Sequence, residues 1–127
     1  MKFAILLSAF VSIAAAAEPY YVTCQDESLE GFVFKARCKN RNGDLVDTSL
    51  DLNKCLTFSD DTDEVVHYRD GNISQACTDC WLSAQYESMD AEVKYYYDLT
   101  CNCRGPNSPY WNKMDTFIEN IDGQMLC

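Results

Sequence analysis

"FVFKARC", Phe32 to Cys38, alternates without a break: Phe32, Phe34, Ala36 and Cys38 fall on one side of an extended chain, and Val33, Lys35 and Arg37 on the other. This is the pattern of a half-buried strand, with one face for a core and one for water. The following "NRNGDLV" contains Asn42-Gly43, a dipeptide that closes two-residue hairpins, and predicts a second strand returning beside the first. Further along, "YYYDLTC" repeats the device, with Tyr95, Tyr97, Leu99 and Cys101 on one face and Tyr96, Asp98 and Thr100 on the other.

The recurrence extends beyond the strand. Cys24 and Cys38 bracket the first copy, Cys77 and Cys101 the second. Downstream, "TSLDLNKCLTF" and "WNKMDTFIEN" match Leu52 with Met114, Cys55 with Phe117 and Leu56 with Ile118. From Cys38 to Phe58 is 20 residues, and from Cys101 to Asn120 is 19. A repeat of about 50 residues is expected, and such units bury their apolar faces against one another. No Pro/Gly/Ser linker parts the copies, so the expectation is a single intertwined all-β domain over 18–127, with repeats of about 18–70 and 71–127. Two insertions break the symmetry: the acidic "SDDTDE", Ser59 to Glu64, and "YESMDAEVKY", Tyr86 to Tyr95.

The chain of 127 residues opens with Lys2, an apolar run from Phe3 to Ile13, and alanines ending at Ala17. This predicts a secretory signal peptide over 1–17, too short and wrongly flanked for a membrane span. Secretion makes the eight cysteines a disulfide framework, which supplements the modest core of a small domain. Their number alone allows 105 pairings. Without Lys2 the full-chain charge of -10 becomes -11, which disfavours nucleic acid and anionic membrane surfaces as partners. Asn72-Ile73-Ser74 is a candidate glycosylation sequon.

Other chemistries fit poorly. "CTDC", Cys77 to Cys80, with Cys101 and Cys103 twenty residues on, could supply four thiolates to zinc, but thiols behind a signal peptide oxidise. A redox role lacks a thioredoxin-like βαβ context, and Asp79 beside Cys80 opposes a thiolate. His67 is the chain's one histidine, so any Ser-His-Asp or Cys-His mechanism would need it; it reads as a solvated or partly packed strand residue. The cluster Asp60, Asp61, Asp63 and Glu64 lacks the glycine and the closing glutamate of an EF-hand loop, and reads as a solvated loop. Paired carboxylates for glycoside hydrolysis form a weaker third reading, because so acidic a chain brings such pairs together by chance. Among the aromatics, Tyr95 and Tyr97 read as core; Tyr96, Tyr110 and Trp111 are candidates for stacking on sugar rings, Tyr96 foremost.

The order of these marks resembles the cyanovirin-N homology family. A cysteine is followed fourteen residues later by the end of an F-x-A-x-C strand, then by "TSLDLNKCL", by "NISQAC" at the start of the second repeat and by "FIENIDGQM" at its close. The resemblance implies an all-β fold of two pseudo-symmetric halves, each a three-stranded sheet and a hairpin, with segments exchanged between the repeats. It also implies a lectin, not an enzyme, binding mannose-rich glycans or glycoproteins with no metal or other cofactor. The disulfides it implies are Cys24–Cys38 and Cys77–Cys101. Cys80 and Cys103, lying just past that second pair, are then expected to bond beside it, and Cys55 to bond Cys127.

Carried over by position, one sugar site would gather Thr23, Lys39, Asn40, Arg41, Asn120, Ile121 and Asp122. A second would gather Thr57, Asp60, Asp61, Asn72, Gln75, Asn102 and Arg104. The second departs more from the family's pattern, with Phe58 standing where an asparagine is expected and a lengthened turn beside it. A secreted module that binds protein through the acidic loop, with sugar binding lost, is the alternative function.

Overall fold

The alternating stretch becomes a strand for the reason its pattern suggests: Phe34, Ala36 and Cys38 are buried, while Lys35, Arg37 and Lys39 face water. The computed structural model describes residues 17–89 and 92–127, and the side chains of all of these but 87–89 and 92–95. The signal-peptide reading, save Ala17, lies outside the described residues.

Among the described residues the eleven strands are β1 (Glu18–Pro19), β2 (Cys24–Glu30), β3 (Val33–Lys39), β4 (Leu45–Asp51), β5 (Leu56–Ser59), β6 (Glu64–His67), β7 (Cys77–Met89), β8 (Glu92–Cys103), β9 (Tyr110–Lys113), β10 (Glu119–Ile121) and β11 (Gln124–Leu126). They form four antiparallel sheets: β2-β3-β4, β7-β8-β9, the hairpin β5-β6, and β1-β10-β11. The order of elements is duplicated. A helical turn (Tyr20–Thr23, then Ile73–Gln75) leads into each three-stranded sheet, and a 3-10 turn (Leu52–Lys54, then Met114–Thr116) leads from it into a hairpin.

Each hairpin leaves its own repeat. β6 packs beside β9, where Asn112 Nδ2 donates to Val65 O at 2.8 Å. β11 packs beside β4, where the Met125 amide donates to Thr48 Oγ1 at 3.1 Å. Exchange lets the two halves share one core. Equivalent positions fill it in pairs: Tyr20 with Ile73, Phe34 with Leu99, Leu52 with Met114, and Leu56 with Ile118. Fully burying each aliphatic or phenylalanine side chain contributes about 1.5–3 kcal/mol.

The bridges are Cys24–Cys38, Cys55–Cys127, Cys77–Cys103 and Cys80–Cys101. The last two correct the expected Cys77–Cys101 and Cys80–Cys103. In an antiparallel ladder, moving forward on one strand moves backward on the other, so the earlier cysteine of β7 must face the later one of β8. Cys77 pairs with Cys103 and Cys80 with Cys101, a bulge between Cys77 and Asp79 absorbing the odd residue.

The same register corrects the repeat. Val33 pairs with Asp51 and Asp98 with Lys113, each just before a 3-10 turn, so Cys38 corresponds to Cys103 rather than to Cys101. Cys101 then occupies the place of Ala36, and Leu99 that of Phe34. The Asn42-Gly43 reading also changes. Asn40 and Asp44 still hydrogen-bond (2.9 Å), leaving a three-residue loop, Arg41-Asn42-Gly43, with Gly43 alone at positive φ (81°). The side chain of Asn40 stabilises this form, accepting the Asn42 and Asp44 amides at 3.0 Å each.

Candidate functional site

Where the last hairpin meets the first sheet, a cleft of about 330 Å³ opens, lined by Glu18, Thr23, Lys39, Asn40, Arg41, Gly43, Asn120 and Asp122. Six of the seven residues expected for a first site line it. Ile121 does not; it sits in β10 paired with Gln124. Glu18 and Gly43 were not anticipated. Glu18 arrives because β1 pairs with β10, Glu18 opposite Asn120, and this long-range pairing has no signal in a two-residue strand.

Asn120 organises the cleft. It is 5% exposed, and its Nδ2 donates to Thr23 Oγ1 (2.6 Å) and to Lys39 O (3.0 Å) while its Oδ1 accepts the Gly123 amide (2.9 Å). Three separate segments are thereby held together, and each hydrogen bond offsets the cost of burying an amide. Asn120 has given its bonding capacity to the fold, so it positions the cleft more than it reaches into it.

The adjoining turn, Ile121 to Gln124, has positive φ at both central residues, Asp122 (51°) and Gly123 (85°), as a type I′ hairpin requires. Gly123 has no alternative: a β-carbon there would collide with the Val46 side chain. The turn aims Asp122 at the β3-β4 loop, where Oδ1 accepts the Arg41 amide at 2.8 Å and Oδ2 lies 3.3 Å from Arg41 Nε. Both side chains remain substantially exposed at the rim, with hydrogen-bonding capacity left for a ligand.

The pseudo-symmetric position is built differently. Phe58 stands in place of Asn120 and packs edge-on against Tyr110 at 5.1 Å between centroids. Arg104, the counterpart of Lys39, lies 5.9 Å above the Phe58 ring and binds Asp60 through both ends of its guanidinium, Nε to Oδ1 at 3.1 Å and Nη2 to Oδ2 at 2.8 Å. That carboxylate raises the arginine's pKa further above its ordinary value. Asp63, in the same loop, accepts Tyr110 Oη at 2.6 Å and Asn107 Nδ2 at 2.7 Å. Burial, and then Asp63, raise the Tyr110 pKa. These polar groups satisfy one another.

Of the residues expected in a second site, Asp60 and Arg104 are joined, while Thr57 lies within β5 opposite Val66 and Asp61 is exposed in the turn. Asn72 and Gln75 are exposed around the Ile73–Gln75 turn, and no side-chain hydrogen bond among the described residues ties them to Arg104. Asn102 lies on the sheet face opposite Cys101 and Cys103, as strand alternation requires, and the corrected register makes it the counterpart of Arg37 rather than of Lys39. His67 is exposed and stacks on Phe117. Among the described residues no three His, Cys, Asp or Glu side chains gather as a metal site.

The model of the CVNH domain matches residues 20–127. Three solved structures share the fold. The NMR structure of GzCVNH from Gibberella zeae is 18% identical, with 84% of this chain and 94% of that one covered and a TM-score of 0.65. A MoCVNH3 variant in complex with (N-GlcNAc)4 is 14% identical, covering 86% and 96%, with a TM-score of 0.59. Microvirin in its mannobiose complex is 22% identical, covering 86% and 97%, with a TM-score of 0.55. A search of curated protein sequences returns no match. With its duplicated sheets, exchanged hairpins and nearly full-length match to the domain, the chain belongs to the cyanovirin-N homology (CVNH) family.

Proposed function

We propose that the protein is a secreted lectin that binds mannose-containing glycans noncovalently, without metal and without turnover, through the cleft between Thr23, the Lys39–Arg41 loop and the Asn120–Asp122 turn. The observation that carries this reading is the convergence of three rigidly joined polar segments on one open cleft of about 330 Å³. Sugar recognition needs donors and acceptors fixed in advance, so that little ordering entropy is lost on binding. The Asn120 lock supplies that rigidity; Asp122, Arg41 and Lys39 supply exposed partners for hydroxyls. Microvirin, similar in fold, is solved with mannobiose, and the MoCVNH3 variant with (N-GlcNAc)4, which supports a glycan as the ligand class.

Titration of the disulfide-bonded protein with mannobiose by calorimetry is expected to give saturable binding that Asp122→Ala weakens at least about tenfold, a loss of roughly 1.4 kcal/mol, and that chelator leaves unchanged. Absence of binding at millimolar mannobiose, or of any hit on a glycan array, would overturn the reading. The alternative, a protein-binding module using the acidic loop, draws less support, because Asp60 and Asp63 are turned to Arg104, Tyr110 and Asn107.

A further inference from the structure

The outer face of the second sheet carries a row of three residues in register across its strands: Trp81 on β7 opposite Thr100 on β8, and Thr100 opposite Trp111 on β9. Residues in one such row share a face. Both tryptophans are open to solvent, Trp81 at 42% and Trp111 at 63%. The duplication provides an internal control. The matching row of the first sheet is Ser28, Lys35 and Ser49, which are in register in the same way and entirely polar. The fold therefore does not need indoles here, and exposing two of them forgoes burial that would otherwise stabilise the chain.

Trp111 also stands between two clefts. One, of about 360 Å³, lies along the sheet face with Ser83, Asp98, Thr100 and Lys113; the other, of about 550 Å³, lies toward β6 with Asp63, Glu64, Asn107 and Asn112. In the first, Asp98 adds negative charge to the floor, its Oδ1 buried with no donor among the described residues.

From this arrangement we infer a second carbohydrate site, separate from the Asn120 cleft, in which Trp81 and Trp111 stack on the rings of a neutral, β-1,4-linked, gluco-configured oligosaccharide. Stacking on an indole uses a sugar face of axial C–H groups; a gluco ring with equatorial substituents offers such a face on both sides, whereas the axial 2-hydroxyl of mannose obstructs one of them. The β-1,4 linkage gives a flat ribbon, and the two tryptophans lie two strand spacings apart, about 10 Å, the reach of a disaccharide. Exposed Glu64 accepts hydrogen bonds from sugar hydroxyls, and the carboxylates of Asp63, Glu64 and Asp98 repel polyanionic chains, as does the chain's overall charge of -10.

The chain has only these two tryptophans, so its tryptophan emission reports on this face alone. Cellotetraose and N-acetylchitotetraose are titrated separately into the disulfide-bonded protein, with mannobiose as a control; the two tetraoses distinguish a 2-hydroxyl from an acetamido group. At least one tetraose is expected to give a saturable emission change at millimolar or lower concentration. Trp111→Ala should weaken that binding at least about tenfold, roughly 1.4 kcal/mol, Trp111→Phe should retain most of it, and Asp122→Ala should leave it within about twofold. Retained circular dichroism of Trp111→Ala checks folding at this exposed position. No saturable change with either tetraose, or full affinity in Trp111→Ala, overturns the inference. So does loss of tetraose binding in Asp122→Ala, which would assign the signal to the first cleft. Mannobiose calorimetry reads the first cleft independently, so the two sites stand or fall separately.

Discussion

Position 120 and its counterpart 58 show how one substitution separates the two halves. Asn120 is a buried amide holding three segments by hydrogen bonds, whereas Phe58 fills the same place with a ring. Either residue closes the local structure, but only the asparagine leaves polar neighbours organised around an open cleft. The polar identity of 120 was legible in the sequence; that its side chain is spent inward was not, because the partners Thr23 and Lys39 lie 97 and 81 residues away. A second residue makes a pH prediction. Glu27 sits half-buried in the β2 bulge between Gln25 and Ser28, where burial raises its carboxyl pKa, its own amide lowers it and Asp26 raises it again. The folded state then binds this proton more tightly than the unfolded state, whose glutamate titrates near pH ~4.3, so the charged carboxylate is a destabilising element above the folded pKa and none below the unfolded one. Glu27→Gln is expected to raise Tm at pH ~7 and to lose that advantage by about pH ~3. An equal advantage at both pH values would contradict this account.

Strands and bridges explain where sequence reading held and where it slipped. The alternation in "FVFKARC" reports which side of a strand is buried, and Phe34, Ala36 and Cys38 are buried as it implies. Matching Cys101 rather than Cys103 to Cys38 is a slip of two residues, which leaves every side chain on its own face. Periodicity cannot detect such a slip; only the antiparallel register of β7 and β8 can. The three-residue difference between the 38-to-58 and 103-to-120 spacings then falls in the β8-β9 loop. Peptide mass mapping is expected to recover Cys77–Cys103 and Cys80–Cys101. The bridges should also differ in worth. Cys80–Cys101 (separation 21) lies inside the loop that Cys77–Cys103 (separation 26) already closes, so its added effect on the unfolded chain is small. Cys55–Cys127 spans 72 residues and is worth about 4 kcal/mol in the chain-entropy model. Urea unfolding should show Cys80→Ser/Cys101→Ser well above Cys55→Ser/Cys127→Ser in stability; the reverse order would show that strain or packing at the inner bridge dominates.

At the scale of the molecule, the duplication makes two similar halves, of which the first carries the open Asn120 cleft. The other half meets its own polar needs through Asp60–Arg104 and Asp63–Tyr110. Mannobiose calorimetry is therefore expected to give one binding event per chain, and the protein, where sedimentation shows it to be a monomer, should not agglutinate particles coated with mannose alone. Two equivalent events would show that the Arg104 pair opens to ligand. The duplicated order of elements was legible from matched cysteines and apolar positions, and the resemblance to the cyanovirin-N homology family implied the exchange of hairpins. The pairing of β1 with β10 was not legible, since two residues carry no pattern. The exchange has a consequence in time. Every wall of the cleft comes from a different stretch of chain, the first near residue 18 and the last near residue 122, so a nascent chain presents no part of a usable site until almost all of it has emerged. On the proposed reading, binding at this cleft is then a test of completed folding, and a half-made or wrongly bridged molecule leaves the cleft silent rather than weakly adhesive.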